Sequence, residues 1–229
     1  MRPTKDVFLV TYQFGHHYAV SGYNRLVEFV PCRTIRTPSV VSSFIQRTTS
    51  YERREALKTE TGLTGYFPEC RWLEWQVGRK LRSSRGGVFH FIYPENSFYY
   101  TAVARRSSGA RVVATYHQPL EESRAFIKKT DAIRTLDAVI VLSETQREFF
   151  EPLVGADRLF VVPHGIDLEF FTPATAPPRE RRIIAVGNWL RDFPTLVAAL
   201  RILGQSGVRL SGVTLSQVDV RAQAGLGYG

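Results

Sequence analysis

The sequence predicts a doubly wound parallel α/β domain followed by an incomplete second domain of the same kind. Three observations predict it. Short apolar runs without alternation recur between residues 7 and 162, the pattern of strands buried on both faces. Segments of helical pattern separate those runs, which implies right-handed βαβ units. A polar, Pro-rich stretch then breaks the series, and a fresh strand–helix pair follows it.

The elements follow in order. Val7 to Tyr12 is the first apolar run, and a Gly-containing loop carries the chain to the apolar segment 23–30. Glu69 to Arg85 reads as a helix in which Leu73, Val77 and Leu81 recur at i, i+4 and i+8 beside Arg71, Arg79, Lys80, Arg82 and Arg85. Two readings of it stay open. It is a core helix with an Arg-rich outer face, or an interfacial helix with Trp72 and Trp75 at a membrane surface. Val88 to Ile92 is the next strand, with a helix expected from Ser97 to Arg106. Arg111 to Thr115 is a strand before a charged helical stretch at 121–134. Ala138 to Leu142 runs into Ser143-Glu144-Thr145-Gln146, a capping box with Ser143 as N-cap and Gln146 reaching back. Leu159 to Val162 closes the series.

Residues 163–182 change character. Pro163-His164-Gly165-Ile166-Asp167 is a turn, and Pro173, Pro177 and Pro178 lie in a linker-like stretch. Arg182 to Gly187 restarts as a strand and Asp192 to Leu203 as a helix, with Pro194 in its first turn. The expected division is a first domain at 1–165, a linker at 166–181 and the start of a second domain at 182–229. Fewer than fifty residues follow the linker, too few for a stable domain of this type, so a truncated gene, a fragment or a frameshifted tail is expected.

Composition bounds the function. The 229 residues are 44% hydrophobic, 22% charged and 12% aromatic, which excludes a disordered tail, a collagen-like fibre and a coiled coil. No stretch approaches the roughly 18 apolar residues of a spanning helix, and Val7–Val10 is too short for the core of a signal peptide. Cys32 and Cys70 form no C-x-x-C pattern, so neither a zinc site nor a disulfide framework is expected. The expected location is the cytoplasm, with peripheral attachment to membrane. Net charge is +9, and its distribution is uneven: residues 1–110 carry 16 basic and 8 acidic side chains, the remainder 14 and 13. The first half therefore faces an anionic partner, or simply presents an Arg-rich solvated surface. No nucleic-acid-binding motif accompanies the charge, so nucleic acid is not an expected partner.

Most enzyme signatures are absent: no H-E-x-x-H, G-x-S-x-G, Walker A loop or D-x-D. The terminal Gly225-Leu226-Gly227-Tyr228-Gly229 has no helix after it and is set aside. Gly15-His16-His17-Tyr18-Ala19-Val20-Ser21-Gly22-Tyr23 follows the first strand. Ser21 can cap a helix starting near Gly22, whose free amides and missing Cβ would admit a phosphate. The plainer reading is a βα loop with a capping serine. His117 sits just past the carboxyl end of a strand, where open α/β sheets bind ligands, and Glu95 occupies the same kind of position one strand earlier. His90 lies within an apolar strand and reads as a satisfied core histidine.

Gly15-His16-His17 with Ser21-Gly22-Tyr23, the strand-end His117, Val161-Val162-Pro163-His164-Gly165-Ile166-Asp167 with Phe171-Thr172-Pro173, and the restart Ala185-Val186-Gly187-Asn188-Trp189-Leu190-Arg191-Asp192-Phe193 together resemble glycosyltransferase family 4. The resemblance runs from residue 1 to about 203. It implies the GT-B fold, in which two Rossmann-like domains face each other across a cleft, the first serving the acceptor and the second the nucleotide-sugar. It implies retaining, metal-independent hexosyl transfer to a glycan or lipid-linked acceptor, with no cofactor besides the donor and an anionic membrane surface as a further partner. By the same resemblance, Gly15, Ser21, Gly22 and Arg191 bind the donor phosphates. His117 is the catalytic residue, and His16, Tyr23 and Glu95 lie on the acceptor side. Asp192 stands where the family usually has a Lys-Gly pair nearby, and the family's E-x7-E motif has no counterpart after residue 203. The isolated chain is accordingly expected to be inactive in transfer. The alternative is a non-catalytic half-domain that binds a glycan, a lipid headgroup or a partner chain.

Overall fold

A computed structural model of the chain describes residues 7–12, 14, 23–84, 86–104, 109–173, 182–185, 192–207 and 211–214. They belong to two compact units, Met1–Phe170 and Phe171–Gly229.

The first unit opens with β1 (Val7–Val10) and a 3₁₀ turn at Tyr23–Arg25 that runs into α1 (Leu26–Phe29). Then come β2 (Arg33–Ile35), α2 (Ser39–Thr48), α3 (Tyr51–Thr61), α4 (Pro68–Ser83) and β3 (Val88–Phe91). After these follow α5 (Pro94–Ser97), α6 (Tyr100–Ala104), β4 (Arg111–Tyr116), α7 (Leu120–Phe126), α8 (Asp131–Arg134) and β5 (Ala138–Val141). A 3₁₀ turn at Glu144–Gln146 leads into α9 (Arg147–Val154), and β6 (Leu159–Val161) is last. The six strands form one parallel sheet in the order β2-β1-β3-β4-β5-β6. The doubly wound architecture is as the apolar runs indicate. From β1 the chain winds outward to β2, then returns to the other side of β1 to place β3. The carboxyl ends of β1 and β3 therefore flank the point where winding reverses, the position at which such sheets bind ligands.

The core lies between the sheet and the helices packed on it, α4, α8 and α9 among them. Leu73, Val77 and Leu81 are fully buried, whereas Trp72 and Trp75 remain 39% and 47% exposed. The apolar stripe of this helix thus packs in the core, and its tryptophans stay outside it, with the Arg79 guanidinium 5.0 Å from the Trp75 ring centre. The capping box at Ser143 and Gln146 forms, and Gln146 Oε1 accepts from both Ser143 N and Leu142 N. His90 Nε2 meets Thr115 Oγ1 at 2.7 Å, which satisfies it within the sheet.

Several elements differ from the sequence expectation, which assigned nothing to α2 and α3. The helix expected at 97–106 begins earlier, because Pro94 initiates α5, and Phe98 then interrupts it before α6. The stretch 121–134 is two helices, since Ile127 and Lys128 bridge to the Leu63 and Gly62 segment instead of continuing the helix. The edge strand β2 was not visible in the pattern, because Arg33 and Thr34 are exposed and polar.

In the second unit, β7 (Arg182–Ala185) pairs in parallel with β8 (Ser211–Thr214), and α10 (Phe193–Gln205) connects them. Asp192 caps α10 by accepting from Thr195 N at 3.0 Å, and Pro194 sits in the first turn, where no amide is required. Val197 and Leu200 are buried against Ile183, Phe193 and Leu196. Among the described residues no helix is long and apolar enough to cross a membrane. Both cysteines are free thiols, with Cys70 buried.

Candidate functional site

Four aromatic or imidazole rings converge at the carboxyl ends of β1, β3 and β4. His117 follows β4. Its ring is stacked under Tyr23, with centres 3.5 Å apart and planes 17° from parallel. Tyr93, just past β3, lies 5.6 Å from His117 and 5.7 Å from Tyr23, and Tyr93 Oη accepts from Tyr23 N at 3.3 Å. His164, after β6, lies 4.8 Å from Tyr23. Phe14 meets Tyr93 edge-on at 5.1 Å and continues the row toward Tyr12 and Phe67.

The turn that carries His117 is fixed from beneath by Glu95. This carboxylate is buried at the start of α5, where its Oε1 accepts from His117 N at 2.7 Å and from Gln118 N at 3.4 Å. Burial pushes Glu95 up to about 7, although both backbone donors favour its charged form. Gln146 ties the same turn to α9 by donating to Gln118 O and Tyr116 O.

The imidazole of His117 is oriented by one bond. Its Nε2 lies 2.5 Å from Ile92 O, and a carbonyl can only accept, so Nε2 carries the proton. Nδ1 is then a lone-pair acceptor, and among the described residues it is buried without a partner. Burial lowers the ring's pKa to about 4, against the bond to Ile92, with His164 and His90 adding to the depression. At neutral pH the site therefore presents an uncharged imidazole whose one open valence accepts a hydrogen bond.

A second polar cluster stands at the end of β1. Glu69 Oε1 accepts from Tyr12 Oη at 2.6 Å and from Gln46 Nε2 at 2.5 Å. Its Oε2 is buried without a partner among the described residues. Among the described residues no group of three or more His, Cys, Asp or Glu is arranged to hold a metal ion.

The structure thus brings Tyr23, Glu95 and His117 together. Gly15, His16, Ser21, Gly22 and Arg191 lie outside the described residues. Sequence reasoning named no role for Tyr93, Arg25, Asp167 or Glu69. Tyr93 could have been found, because it follows its strand as His117 follows the next. For Arg25, Asp167 and Glu69 no local signal exists, since their partners are distant in sequence.

A parallel α/β sheet whose winding reverses between β1 and β3, with aromatic and imidazole rings gathered there, defines a domain of the Rossmann-like class. A sequence model of Glycosyltransferase Family 4 matches residues 37–170, and the chain belongs to that family. Among solved structures, a glycosyltransferase from Rickettsia africae ESF-5 is similar over 97% of this chain and 66% of its own, at 11% identity and a TM-score of 0.50. A TarM variant of S. aureus, in complex with Fondaparinux, alpha-GlcNAc-glycerol and UDP, is similar over 69% of this chain and 34% of its own, at 11% identity and a TM-score of 0.43. The chain therefore spans about a third of TarM and 66% of the Rickettsia protein. A comparison with curated proteins gives no match. The fold is that of GT-B glycosyltransferases.

Proposed function

We propose that this chain forms the acceptor-side domain and hinge of a glycosyltransferase that moves a hexosyl group from a nucleotide-sugar to a glycan or lipid-linked acceptor. In this reading the reaction retains configuration and needs no metal. The observation that carries it is the neutral His117, at the winding reversal of a family 4 chain, with Nδ1 unpaired and Nε2 engaged by Ile92 O.

The roles assigned to His117, Tyr23, Tyr93 and Glu95 rest on the geometry above, and those of the remaining residues on the family resemblance. His117 Nδ1 accepts from a hydroxyl of the transferred sugar or of the acceptor and so fixes its orientation. Its depressed pKa keeps the ring neutral, so it neither repels nor competes for the proton of that hydroxyl. Tyr23 and Tyr93 supply an apolar wall, and Glu95 holds the 117–118 turn from behind. Charge develops on the departing nucleoside diphosphate as the glycosidic bond breaks. The Gly15–Gly22 loop, with Ser21, and Arg191 are assigned to that charge, as backbone donors and a guanidinium, and His16 to the acceptor. The exposed Trp72 and Trp75 beside Arg71, Arg79 and Arg82 favour docking of a cytoplasmic protein on an anionic bilayer.

The test is a screen of nucleotide-sugars for donor hydrolysis and transfer, on this chain and on a version extended into a complete second domain. In the active form, His117→Ala should lower the rate by about 10²-fold while the melting temperature moves little. A rate within about threefold of wild type, a barrier change under about 0.7 kcal/mol, removes His117 from the site. Glycan binding without turnover in either form would favour the non-catalytic half-domain.

A further inference from the structure

The sheet itself does not hold Tyr23 against His117. Tyr23 stands on a single 3₁₀ turn, and α1, which follows it, buries no residue. Its backbone bond to Tyr93 Oη is long at 3.3 Å. The stronger hold comes from the segment after β6. Arg25, two residues beyond Tyr23, directs Nη1 to Glu28 Oε2 at 2.5 Å and Nη2 to Asp167 Oδ2. The Asp167 side chain is only 9% exposed, and its Oδ1 accepts from Glu169 N at 3.0 Å and Phe170 N at 3.1 Å. The carboxylate is thus fixed in place before Arg25 reaches it, unlike an ordinary surface pair of two free side chains. His164, three residues earlier, touches the Tyr23 ring from the same segment.

We propose that Arg25 and Asp167 are positioning residues: their ion pair clamps the 23–25 turn to the segment leaving β6 and so keeps Tyr23 stacked on His117. The inference rests on the reading of His117 as the site residue. The clamp joins residues 142 apart in sequence, the first βα loop and the last segment before the first unit ends at Phe170. Any movement of that segment is thereby transmitted to the cover over His117. With the clamp closed, Tyr23 shields one face of the imidazole and Nδ1 is buried. With the clamp open, Tyr23 is free to leave and water reaches the ring.

The experiment is the titration of the His117 imidazole by NMR in the full chain without substrate, in four variants besides wild type. Tyr23→Ala removes the cover directly. Asp167→Asn keeps an oxygen to accept from Glu169 N and Phe170 N but removes the charge opposite Arg25. Arg25→Met breaks the pair from the other side, and the Arg25→Met, Asp167→Asn double variant tests whether the two act through one contact. Wild-type His117 should titrate near 4. All three single variants should move it toward the ordinary histidine value of about 6.5, and the double variant no further than either single. A wild-type value already near 6.5, or an unchanged value in Tyr23→Ala, overturns the proposal. So does a wild-type titration in Asp167→Asn or Arg25→Met when Tyr23→Ala has moved it. Should one clamp variant fail to fold, the other decides. Because no turnover is read, an inactive protein with the expected titrations would refute the transferase reading and leave the clamp standing.

Discussion

Replacing Glu95 by Gln should remove a pH-dependent cost from the fold. Glu95 is fully buried, and burial raises its pKa from 4.5 to about 7. Because the folded value lies above the unfolded one, the folded protein holds the proton more tightly. The stability this confers is complete below about pH 4.5 and is lost as pH climbs through 7. At about 1.4 kcal/mol per pKa unit the loss is about 3.5 kcal/mol, with about 2.5 of it between pH 5 and 8.5. Glu74 behaves alike: it is fully buried, raised to about 7 by burial, and accepts from Tyr66 Oη, Tyr99 N and Thr101 N. Glu95→Gln retains a carbonyl oxygen for the amides of His117 and Gln118 with no charge to bury, so the share of Glu95 should vanish while those of Glu74 and, with opposite sign, of the buried His117 and His90 remain in both proteins. Urea unfolding at pH 5 and 8.5 measures this, on a Trp189→Phe background so that fluorescence reports Trp72 and Trp75 in the first unit. Relative to wild type, the variant should be about 2.5 kcal/mol better off at pH 8.5 than at pH 5. A constant offset between the two proteins at both pH values would refute the assignment of the burial cost to Glu95.

Two further outcomes are expected. The chain should co-sediment with anionic vesicles more than with neutral ones, less so as salt rises, and Trp72→Ala with Trp75→Ala should weaken the binding; equal sedimentation with both vesicle types leaves the tryptophans without that role. Gly62→Ala should destabilise by more than about 1 kcal/mol, because Gly62 has φ of +69° and a Cβ there would lie 2.4 Å from Lys129 Cγ and 2.8 Å from its backbone N; a neutral effect on urea unfolding would show that the 62–129 contact is loose.

The fold was legible where burial was two-sided. Strands β3, β4 and β5 read as mainly apolar runs without alternation, because the residues between their buried positions are apolar or half-buried as well, and His117 and Glu95 could be placed at strand ends for that reason. β2 was not legible, since an edge strand of three residues with two exposed side chains carries no pattern. Nor was the inward turn of Glu95, because a carboxylate after a strand looks the same in sequence whether it meets solvent or the amides of a neighbouring turn. The clamp was hidden for a different cause. Arg25 and Asp167 each have local explanations, as the i,i+3 partner of Glu28 and as the cap of its own turn. Only the return of the chain past β6 brings them together.

What the fold assembles at the winding reversal is a row of rings: Phe67, Tyr12, Phe14, Tyr93, His117, Tyr23 and His164, each in contact with the next. Such a row is an apolar floor with few polar atoms, the usual construction of a small-molecule site. Two of its members turn polar atoms back into the protein: Tyr12 Oη donates to Glu69, and His117 Nε2 donates to Ile92 O. Two buried acceptors beside the row stay unpaired among the described residues, His117 Nδ1 and, behind Tyr12, Glu69 Oε2. His117 Nδ1 carries no proton, because Nε2 holds it, and can only accept. The row thus combines apolar ring faces with a buried imidazole acceptor that no described donor meets, an arrangement that neither the strand pattern nor any local motif in the sequence displays.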